Sequence, residues 1–322
     1  MRYTLEYPSD LPTAVDDFGR PEVTIDLVTA AEAAGFDAVA VSEHPAPSVK
    51  WRAHGGHETL DPIAALSFVA AVTSQIKVMT NLFVLPYRNP YLAAKALTTV
   101  DQLSGGRLVA GLGAGYLRSE FTAVGVEFHR RAALFDEALA ALWSIWVDPD
   151  APVRGRGFST VGPVWLQRPV QRPHPPIWIG GNGQAAQRRV VEYGTGWMPI
   201  IAPEVLAATI RTAALPDVDA FTRSVARLRE RMERAGRDPH TLDVQVVCPA
   251  IDVADDDAVS RTVEMLGELA DGGATWALIR ADGRSPCAAR EFIETFGSAV
   301  IDRDRTLAVK SPAPRARSEE LS

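Results

Sequence analysis

Short runs of apolar residues alternate along this chain with longer segments in which apolar residues recur every three or four positions. The short runs predict strands that are shielded on both faces, and the longer segments predict amphipathic helices. About eight strand–helix pairs follow one another, and this alternation favours an α/β fold of the (β/α)8 TIM-barrel type over a doubly wound sheet. The predicted strands are residues 3–7, 38–41, 76–85, 108–112, 177–179, 197–201, 242–247 and 277–279.

Residues at the predicted helix starts support this division. Asp61 before Pro62 and Ser285 before Pro286 each place a capping side chain beside a proline that suits a first helical turn. In such a barrel the carboxyl ends of all strands meet at one rim. The polar and glycine-rich segments of this sequence follow predicted strands, so we expect them to gather at that rim.

An insert and a tail interrupt the alternation. Residues 148–176, after the fourth predicted helix, contain seven prolines and three glycines and show neither periodicity. A segment of this kind is typical of a lid or binding loop, or of disorder, and we expect it to shape the substrate pocket together with residues 45–60. Residues 303–322 are rich in Arg, Pro and Ser and predict a disordered tail, which leaves residues 1–302 as a single domain.

The composition narrows the function classes. Of the 322 residues, 47% are hydrophobic and 23% are charged, as in ordinary globular proteins, and the formal net charge is −7. A negative net charge argues against a surface for nucleic acid or an anionic membrane. Cys248 and Cys287 have no metal-type spacing and are too few for a disulfide framework, which indicates a reducing cytoplasm. The acidic start and the lack of a run of roughly 20 apolar residues predict neither a signal peptide nor a membrane span.

Two glycine-rich loops follow predicted strands. Gly113-Ala114-Gly115 lacks the further glycine of the dinucleotide fingerprint, because Arg118 stands at that position, so it is either a ligand-binding loop or a plain tight turn. Gly180-Gly181-Asn182-Gly183 leads into a predicted helix, whose unpaired N–H groups and dipole would favour an anion. The alternative for this second loop is a turn without a ligand.

Histidines supply the candidate catalytic groups. His44 follows the second predicted strand beside Glu43, and a histidine with a carboxylate neighbour can transfer protons near neutral pH, although Glu43 could instead point into the barrel wall. The run His54-Gly55-Gly56-His57-Glu58 has the composition of a metal loop, but its spacing is loose. A mobile loop beside the substrate is therefore favoured, and no metal is expected.

Glu120 lies close in sequence to the first glycine-rich loop. An ion-pair network with Arg130 and Arg131 would fix that loop, whereas the alternative is a set of surface salt bridges with little effect on stability. Neither alternative gives Glu120 a chemical role.

Several specific runs occur in a fixed order over most of residues 1–250. They are residues 42–44, 73–90 and 94–107, the run Gly113-Ala114-Gly115-Tyr116 with Glu120, and residues 175–181, 194–197 and 235–239. In this order they resemble the bacterial luciferase-like superfamily, and most closely its branch that uses the deazaflavin coenzyme F420. The remaining residues match that family only by topology.

The resemblance implies a luciferase-like (β/α)8 barrel with a large insert, a ring cofactor at the carboxyl rim and a homodimer. In the family, a bulge or non-prolyl cis peptide near the end of the third strand backs the ring, and Thr80-Asn81-Leu82 correspond to it. The run Gly113-Ala114-Gly115-Tyr116 corresponds to the border of the cofactor. The run Gly180-Gly181-Asn182 corresponds to the holder of its phosphate-bearing tail, and His44 to a histidine near the reactive carbon.

We therefore expect an F420-dependent oxidoreductase that transfers a hydride between the deazaflavin C5 and a small organic substrate, with His44 as acid/base or orienting donor and Glu43 tuning it. Tyr116 stands where sugar-phosphate dehydrogenases of the branch have an acidic glutamate, which argues against glucose-6-phosphate chemistry. The alternatives are an FMN-dependent monooxygenase, a non-catalytic flavin- or deazaflavin-binding protein and a metal-dependent barrel hydrolase. The expected partners are a small-molecule substrate and a second copy of the chain, with no nucleic acid and no membrane.

Overall fold

Parallel strands form the centre of the fold. The structure is a computed structural model that describes residues 1–12, 16–148, 150, 152–162, 164–249 and 251–310. The strands are β1 (Arg2–Glu6), β2 (Ala38–Val41), β3 (Lys77–Thr80), β4 (Phe83–Val84), β5 (Leu108–Gly113), β6 (Arg154–Gly155), β7 (Phe158–Ser159), β8 (Ile177–Gly180), β9 (Gly196–Met198), β10 (Asp243–Val247) and β11 (Trp276–Arg280).

The strands close into a parallel barrel. β1 pairs with β2 on one side and with β11 on the other, and the ring continues through β10, β9 and β8 to β5. The pairing of Val78 with Leu108 joins β3 to β5 and completes the circle. β6 and β7 stand apart as an antiparallel hairpin. The predicted (β/α)8 barrel is confirmed.

Side chains that point inward fill the lower part of the barrel. The rings of Trp178 and Trp276 meet edge to face there, with centroids 5.2 Å apart. Both residues precede the carboxyl ends of their strands, so a ligand site has to lie above this packed layer. The layer consists of Ala38, Ala40, Met79, Val109, Trp178, Met198, Trp276 and Leu278.

Helices surround the barrel. They are α1 (Pro21–Ala33), α2 (Val49–Arg52), α3 (Pro62–Val72), α4 (Pro90–Leu103), α5 (Arg118–Ala123), α6 (Arg131–Val147), α7 (Gln184–Tyr193), α8 (Glu204–Thr209), α9 (Val218–Arg234), α10 (Asp256–Asp271), α11 (Pro286–Phe296) and α12 (Asp302–Lys310). The predicted caps are confirmed, because Asp61 accepts the N–H of Ile63 and Ser285 accepts the N–H of Ala288. Within the described ranges, none of the helices combines the length and apolar character that a bilayer span requires.

The third barrel strand is broken, although the sequence predicts one long strand over residues 76–85. β3 pairs with the start of β5, and β4 resumes the pairing near its end, where Phe83 faces Leu112. Between them the peptide bond that joins Asn81 to Leu82 is cis. The hydroxyl of Thr80 donates to the carbonyl of Gly111 at 2.8 Å and holds the chain at the break.

The insert packs on the helices outside the barrel, and that it shapes the substrate pocket stays a prediction. Its described residues include the β6–β7 hairpin and pack along α4 and α6. The main-chain N–H groups of Val170 and Gln171 donate to Asp101, and the ring of His174 stacks on Trp146. The β6–β7 hairpin reaches the start of α4, where the rings of Phe158 and Tyr91 lie 6.5 Å apart.

The predicted disordered tail begins with a helix. α12 contains residues 302–310, and Asp304 accepts hydrogen bonds from the amino terminus of Met1 at 3.0 Å and from the hydroxyl of Tyr3 at 3.1 Å. Arg305 donates to the carbonyl of Gly35 at 2.7 Å. These long-range partners, which composition does not reveal, explain the difference. Residues 311–322 lie outside the described residues.

Candidate active site

The carboxyl ends of neighbouring strands bring the predicted site residues to one rim. β2 pairs with β3, β3 with β5 and β5 with β8. The predicted residues at the ends of these four strands are His44 after β2, Asn81 after β3, Gly113 at the end of β5 and Gly180 at the end of β8. Residues that are far apart in sequence therefore lie at the same rim.

A histidine–carboxylate pair lies at this rim. Nδ1 of His44 is 3.1 Å from Oε1 of Glu120, and Tyr87 donates its hydroxyl hydrogen to Oε2 of the same carboxylate at 2.9 Å. The side chains of His44 and Glu120 are only 8% and 2% exposed. Because an ionised carboxylate only accepts, this contact places the imidazole hydrogen on Nδ1. In the neutral ring of this tautomer, Nε2 is the acceptor atom.

The hydrogen-bond partners of Glu43 are residues other than His44. Its carboxylate accepts the main-chain N–H of Val84 at 2.6 Å and pairs with the guanidinium of Arg88. Burial raises the pKa of Glu43, and the contact with Arg88 opposes that rise. The prediction that Glu43 tunes His44 is not supported, because Val84 and Arg88 occupy the carboxylate of Glu43 while His44 contacts Glu120. The alternative of a carboxylate turned into the barrel wall describes Glu43 better.

Glu120 also departs from the expected ion-pair network. Arg130 lies 4.0 Å from Glu127, and Arg131 donates to the carbonyl of Phe128. Glu120 instead turns its buried carboxylate inward, toward partners that are 76 and 33 residues away in the sequence. The available signal was its position just after the glycine-rich loop, but only the fold shows which groups it meets.

Tyr116 stands next to His44 as a neutral hydrogen-bond donor. Its ring is edge-on to the imidazole, with centroids 6.0 Å apart. Burial, followed by the charge of Glu120, raises the pKa of Tyr116 to about 12. The same two causes raise the pKa of Tyr87. Both hydroxyl groups consequently stay protonated near neutral pH.

Trp51 and His57 form an aromatic wall on the other side of His44. Their ring centroids lie 4.6 and 4.9 Å from that of the imidazole. Nε2 of His57 contacts the hydroxyl of Ser42 at 3.3 Å. Burial, followed by the neighbouring His44, lowers the pKa of His57 to about 3, so this ring is neutral. Residues 45–60 thus contribute a flat, weakly polar surface to the rim, which suits a planar ligand.

The histidines of the segment 54–58 do not converge on a common point. Nδ1 of His54 contacts the carbonyl of Lys50 at 2.7 Å, whereas His57 faces Ser42. Among the residues that the structure describes, no group of three or more His, Cys, Asp or Glu side chains is arranged to hold a metal ion.

Leu82 forms an apolar floor between two glycines. The cis peptide that precedes it stands where the family resemblance places one. A β-carbon added to Gly180 would overlap Cδ1 of Leu82, and one added to Gly113 would lie 3.1 Å from the same atom. Only glycine permits this close approach. A half-buried leucine with bare backbone on both sides is a surface on which a flat ring can pack.

Charged groups lie beside this floor. Glu6 accepts a hydrogen bond from Nδ2 of Asn81 at 3.3 Å and one from Nε of Arg280 at 2.5 Å. Asp10 accepts the main-chain N–H of Ser42 at 2.6 Å. Burial, followed by the charge of Glu6, raises the pKa of Asp10 to about 7. The side chain of Asn81 is thus held to the end of β1, next to a carboxyl group that titrates near neutral pH.

Two side chains predicted to bind the cofactor are used within the protein. Thr80 is fully buried, with its hydroxyl on the carbonyl of Gly111. Nδ2 of Asn182 donates to the carbonyls of Ile200 and Ala213, and its Oδ1 accepts the N–H of Ile200. Both side chains stabilise the rim, and these internal bonds occupy the groups that a ligand would use.

The loop after β8 presents the start of α7. Gly181 has a φ of +105°, which favours glycine, and Gly183 is an N-cap without a side chain. A β-carbon on Gly183 would meet nothing within 4 Å, and Gln184 and Ala185 are exposed, so the start of α7 faces open space. Such groups attract an anion. On the neighbouring strand, the half-buried residues Ala114 and Gly115 follow β5 directly.

Sequence reasoning missed Tyr87, Trp51 and the role of Glu120. Tyr87 belongs to the run 73–90 on which the family resemblance rests, so a signal was present. Trp51 has no periodic signal, and only its place in the loop after β2 hinted at a rim position.

Comparison with known proteins gives three findings. The family model described as luciferase-like monooxygenase matches residues 8–285. An FMNH2-dependent dimethylsulfone monooxygenase of Pseudomonas putida is 30% identical over 165 residues, which is 50% of this chain and 44% of that protein. An F420-dependent glucose-6-phosphate dehydrogenase of Amycolatopsis mediterranei is 28% identical over 189 residues, which is 58% of this chain and 55% of that protein. The chain thus spans about half the length of the curated relatives it matches.

The solved structures agree with the barrel. Monooxygenase RslO1 from Streptomyces bottropensis superposes with a TM-score of 0.78 at 20% identity, covering 94% of this chain and 100% of that one. At that identity the likeness shows the fold alone. The family model, in contrast, extends from just after β1 to the N-cap of α11, and on that match this chain belongs to the luciferase-like monooxygenase family.

Proposed function

We propose that the protein is a coenzyme F420-dependent oxidoreductase that transfers a hydride between the deazaflavin C5 and a small organic substrate. Membership of the luciferase-like family supports an oxidoreductase, and the relatives named above use F420 or reduced FMN. The observation that carries the choice of hydride transfer is the pair of His44 and Glu120 at the rim. Hydride transfer to or from a carbon–oxygen group also moves one proton, and this pair provides a place for it.

The residues at the rim fit a flat ring with an anionic tail. Leu82 would pack against one face of the ring, with Gly113 and Gly180 allowing it to approach the backbone. Ala114, Gly115, Tyr116 and Asn81 would border the ring. The first N–H groups of α7, together with Gly180 and Gly181, would hold a phosphate. Thr80 and Asn182 would act indirectly, by fixing the two loops through the internal hydrogen bonds described above.

His44 would move the proton. When bound, the deazaflavin supplies the carbon that accepts or donates the hydride. For an alcohol substrate, the hydroxyl proton would pass to Nε2 of His44 as the hydride leaves the carbon, and reduction of a ketone would reverse both movements. Glu120 holds the opposite ring nitrogen and favours the positive charge that His44 acquires, and Tyr87 holds Glu120 in turn.

An FMN-dependent monooxygenase is the second candidate, and the relative from Pseudomonas putida favours it. The two proposals differ in chemistry, because reduced flavin activates O2 whereas a deazaflavin, with carbon in place of N5, does not readily do so. Both share the barrel, the apolar floor and the anion site.

Cofactor titration tests the proposal. Purified apoprotein is titrated separately with F420 and with FMN, and the enzyme loaded with F420 is then assayed with small alcohols and ketones. We expect tighter binding of F420 and substrate-dependent reduction or oxidation of it. Tight binding of FMN with none of F420 would reverse the order of the candidates, and binding without any turnover would indicate a non-catalytic binding protein.

We further propose that the protein acts as a homodimer in the cytoplasm on a small-molecule substrate. The family resemblance supports the dimer, and the two cysteines, which are both free, fit a reducing compartment. Light scattering would measure the mass in solution, and a monomer at assay concentrations would contradict the dimer.

A further inference from the structure

Three arginines from separate parts of the chain converge on one phenylalanine. The guanidinium carbons of Arg118, Arg131 and Arg211 lie 6.0, 4.2 and 5.3 Å from the centre of the Phe128 ring. Arg118 lies in α5, Arg131 begins α6, and Arg211 follows α8. Arg118 also contacts Nε2 of His129 at 2.9 Å. We call the three arginines the arginine patch.

The positive charge of the arginine patch is not compensated. In the described part of the chain, none of its members forms an ion pair with Asp or Glu, whereas the nearby Arg188 and Arg189 both pair with Asp136. Burial, followed by the charge of Arg211, lowers the pKa of Arg131, as expected where two cations lie close together. Such a group favours an anionic ligand.

Arg211 retains a long side chain at a position that suits glycine. Its φ is +55°, and among the described residues it is the only non-glycine residue with a positive φ. It closes the end of α8, where the N–H of Thr212 donates to the carbonyl of Ala207 at 3.0 Å. Glycine is preferred in this left-handed position because it has no β-carbon.

The arginine patch lies between the pair of His44 and Glu120 and the start of α7. The ring of Phe128 packs on Phe121 at 5.4 Å, and Phe121 packs on Tyr87 at 4.8 Å. On the other side, the hydroxyl of Thr212, the neighbour of Arg211, accepts a main-chain N–H of the loop between β8 and α7 at 2.8 Å. A ligand that extends from the rim past the start of α7 would therefore meet the patch next.

We propose that the arginine patch binds the carboxylates of an acidic, peptide-like tail that continues beyond the phosphate of the cofactor. This inference rests on the proposed function, because it takes a deazaflavin cofactor to occupy the rim. The start of α7 would bind one phosphate. The three guanidinium groups of the arginine patch could bind several carboxylates, because each planar guanidinium can hold a carboxylate through two hydrogen bonds. FMN ends at its phosphate and would leave the patch without a ligand, whereas a tail of several glutamates would occupy it.

The test compares two forms of the deazaflavin cofactor that differ only in the tail, one ending at phospholactate and one extended by several glutamates. Their Kd values are measured for the wild-type protein, for Arg211→Gly and for the double variant Arg118→Ala, Arg211→Gly. Arg234→Ala, which removes an exposed arginine of α9, is the matched control. Because glycine suits the conformation at 211, Arg211→Gly should fold normally, and its thermal midpoint checks this.

We expect the wild type to bind the glutamate-extended form about tenfold more tightly than the short form at low salt, and the double variant to lose this preference while keeping its affinity for the short form. Arg234→Ala should keep the preference. Equal affinities of the wild type for both forms would overturn the inference and leave the proposed function intact. If neither form binds, the proposed function fails, and titration with tetraglutamate then tests the patch by itself. Binding of tetraglutamate that Arg211→Gly weakens would support the patch as a carboxylate site. Equal affinities of the wild type and Arg211→Gly for tetraglutamate would overturn it.

Discussion

Nδ1 of His44 lies 3.1 Å from Oε1 of Glu120, although 76 residues separate the two in the sequence. The contact joins the loop after β2 to α5, which follows β5. It fixes the imidazole in one tautomer and shields the carboxylate that would stabilise its protonated form. We expect substitution at either residue to slow proton transfer and to leave cofactor binding nearly unchanged.

Replacing His44 by alanine should lower kcat by about 100- to 10,000-fold, which is the usual contribution of a positioned acid or base. The Kd of the cofactor should change little, because the floor at Leu82 and the start of α7 remain. Steady-state kinetics and a fluorescence titration measure the two quantities. His240→Ala, which alters an exposed histidine, is the control. Full turnover by the His44→Ala protein would remove His44 from the mechanism.

Glu120→Gln keeps the shape of the side chain and removes its charge. We expect kcat to fall by about 100-fold or more, since an amide neither enforces the tautomer nor stabilises the imidazolium. Glu127→Gln changes an exposed glutamate in the same region and should retain wild-type kcat. Equal kcat values for the two variants would show that the contact with His44 has no catalytic consequence.

Glu43→Gln should affect stability and leave the proton-transfer step alone. The carboxylate is buried and holds both the N–H of Val84 and the guanidinium of Arg88, so its loss should cost about 1–3 kcal/mol of unfolding free energy. Urea denaturation measures this cost. Combining the change with Arg88→Met should recover part of the stability, because the unpaired cation is removed as well. A fall in kcat as large as that of His44→Ala would argue for a direct role.

Gly180→Ala should weaken cofactor binding. The new β-carbon would overlap Leu82, which then has to move into the space above the floor. We expect the Kd to rise by about tenfold or more. Gly113→Ala, whose β-carbon would be 3.1 Å from Leu82, should have a smaller effect, and Gly267→Ala in α10, which meets nothing within 4 Å, should have none. An unchanged Kd for Gly180→Ala would place the ring away from Leu82.

Asp10→Asn should change how stability depends on pH. Burial raises the pKa of Asp10 from 3.8 to about 7, so the folded state holds a proton that the unfolded state has lost between these values. The contribution of Asp10 is therefore complete below pH 3.8 and is lost as the pH rises toward 7, by about 1.4 kcal/mol for each pH unit. Asparagine imitates the protonated form and should make the protein more stable than wild type at pH 8, but not at pH 4.

Denaturation of Asp10→Asn, wild type and the exposed control Glu291→Gln at both pH values checks this difference. The comparison of variants is needed because His57, with a pKa lowered to about 3, contributes with the opposite sign. Its stabilisation is lost as the pH falls below its ordinary value of 6.5. Equal stabilities of Asp10→Asn and wild type at pH 8 would contradict the raised pKa.

The barrel and the location of its site could be predicted because both depend on local patterns. Each strand is a short apolar run, the caps at Asp61 and Ser285 mark helix starts, and parallel strands necessarily gather their carboxyl ends. Composition could not reveal that the predicted disordered tail begins with a helix, because the helix beyond residue 302 depends on contacts with Met1 and Gly35.

The partners of the site residues could not be predicted in the same way. Whether His44 meets Glu43 or Glu120 depends on the direction of each side chain at the strand end and on how α5 packs. Asn182 looked like a ligand-binding amide, yet Ile200 and Ala213 occupy its hydrogen-bonding groups. The arginine patch has no sequence signal, because its members come from three elements and meet only around Phe128.

The β6–β7 hairpin separates the chain into two halves of the barrel, one with β1 to β5 and the other with β8 to β11. The first half carries His44 and Glu120, and the second carries Gly180 and Arg211. A cut at the exposed hairpin residue Gly157 would therefore produce two fragments, each of which contains only part of the candidate site. A ligand that contacts both fragments would stabilise their complex, so we expect reassembly of the split protein to depend on the cofactor.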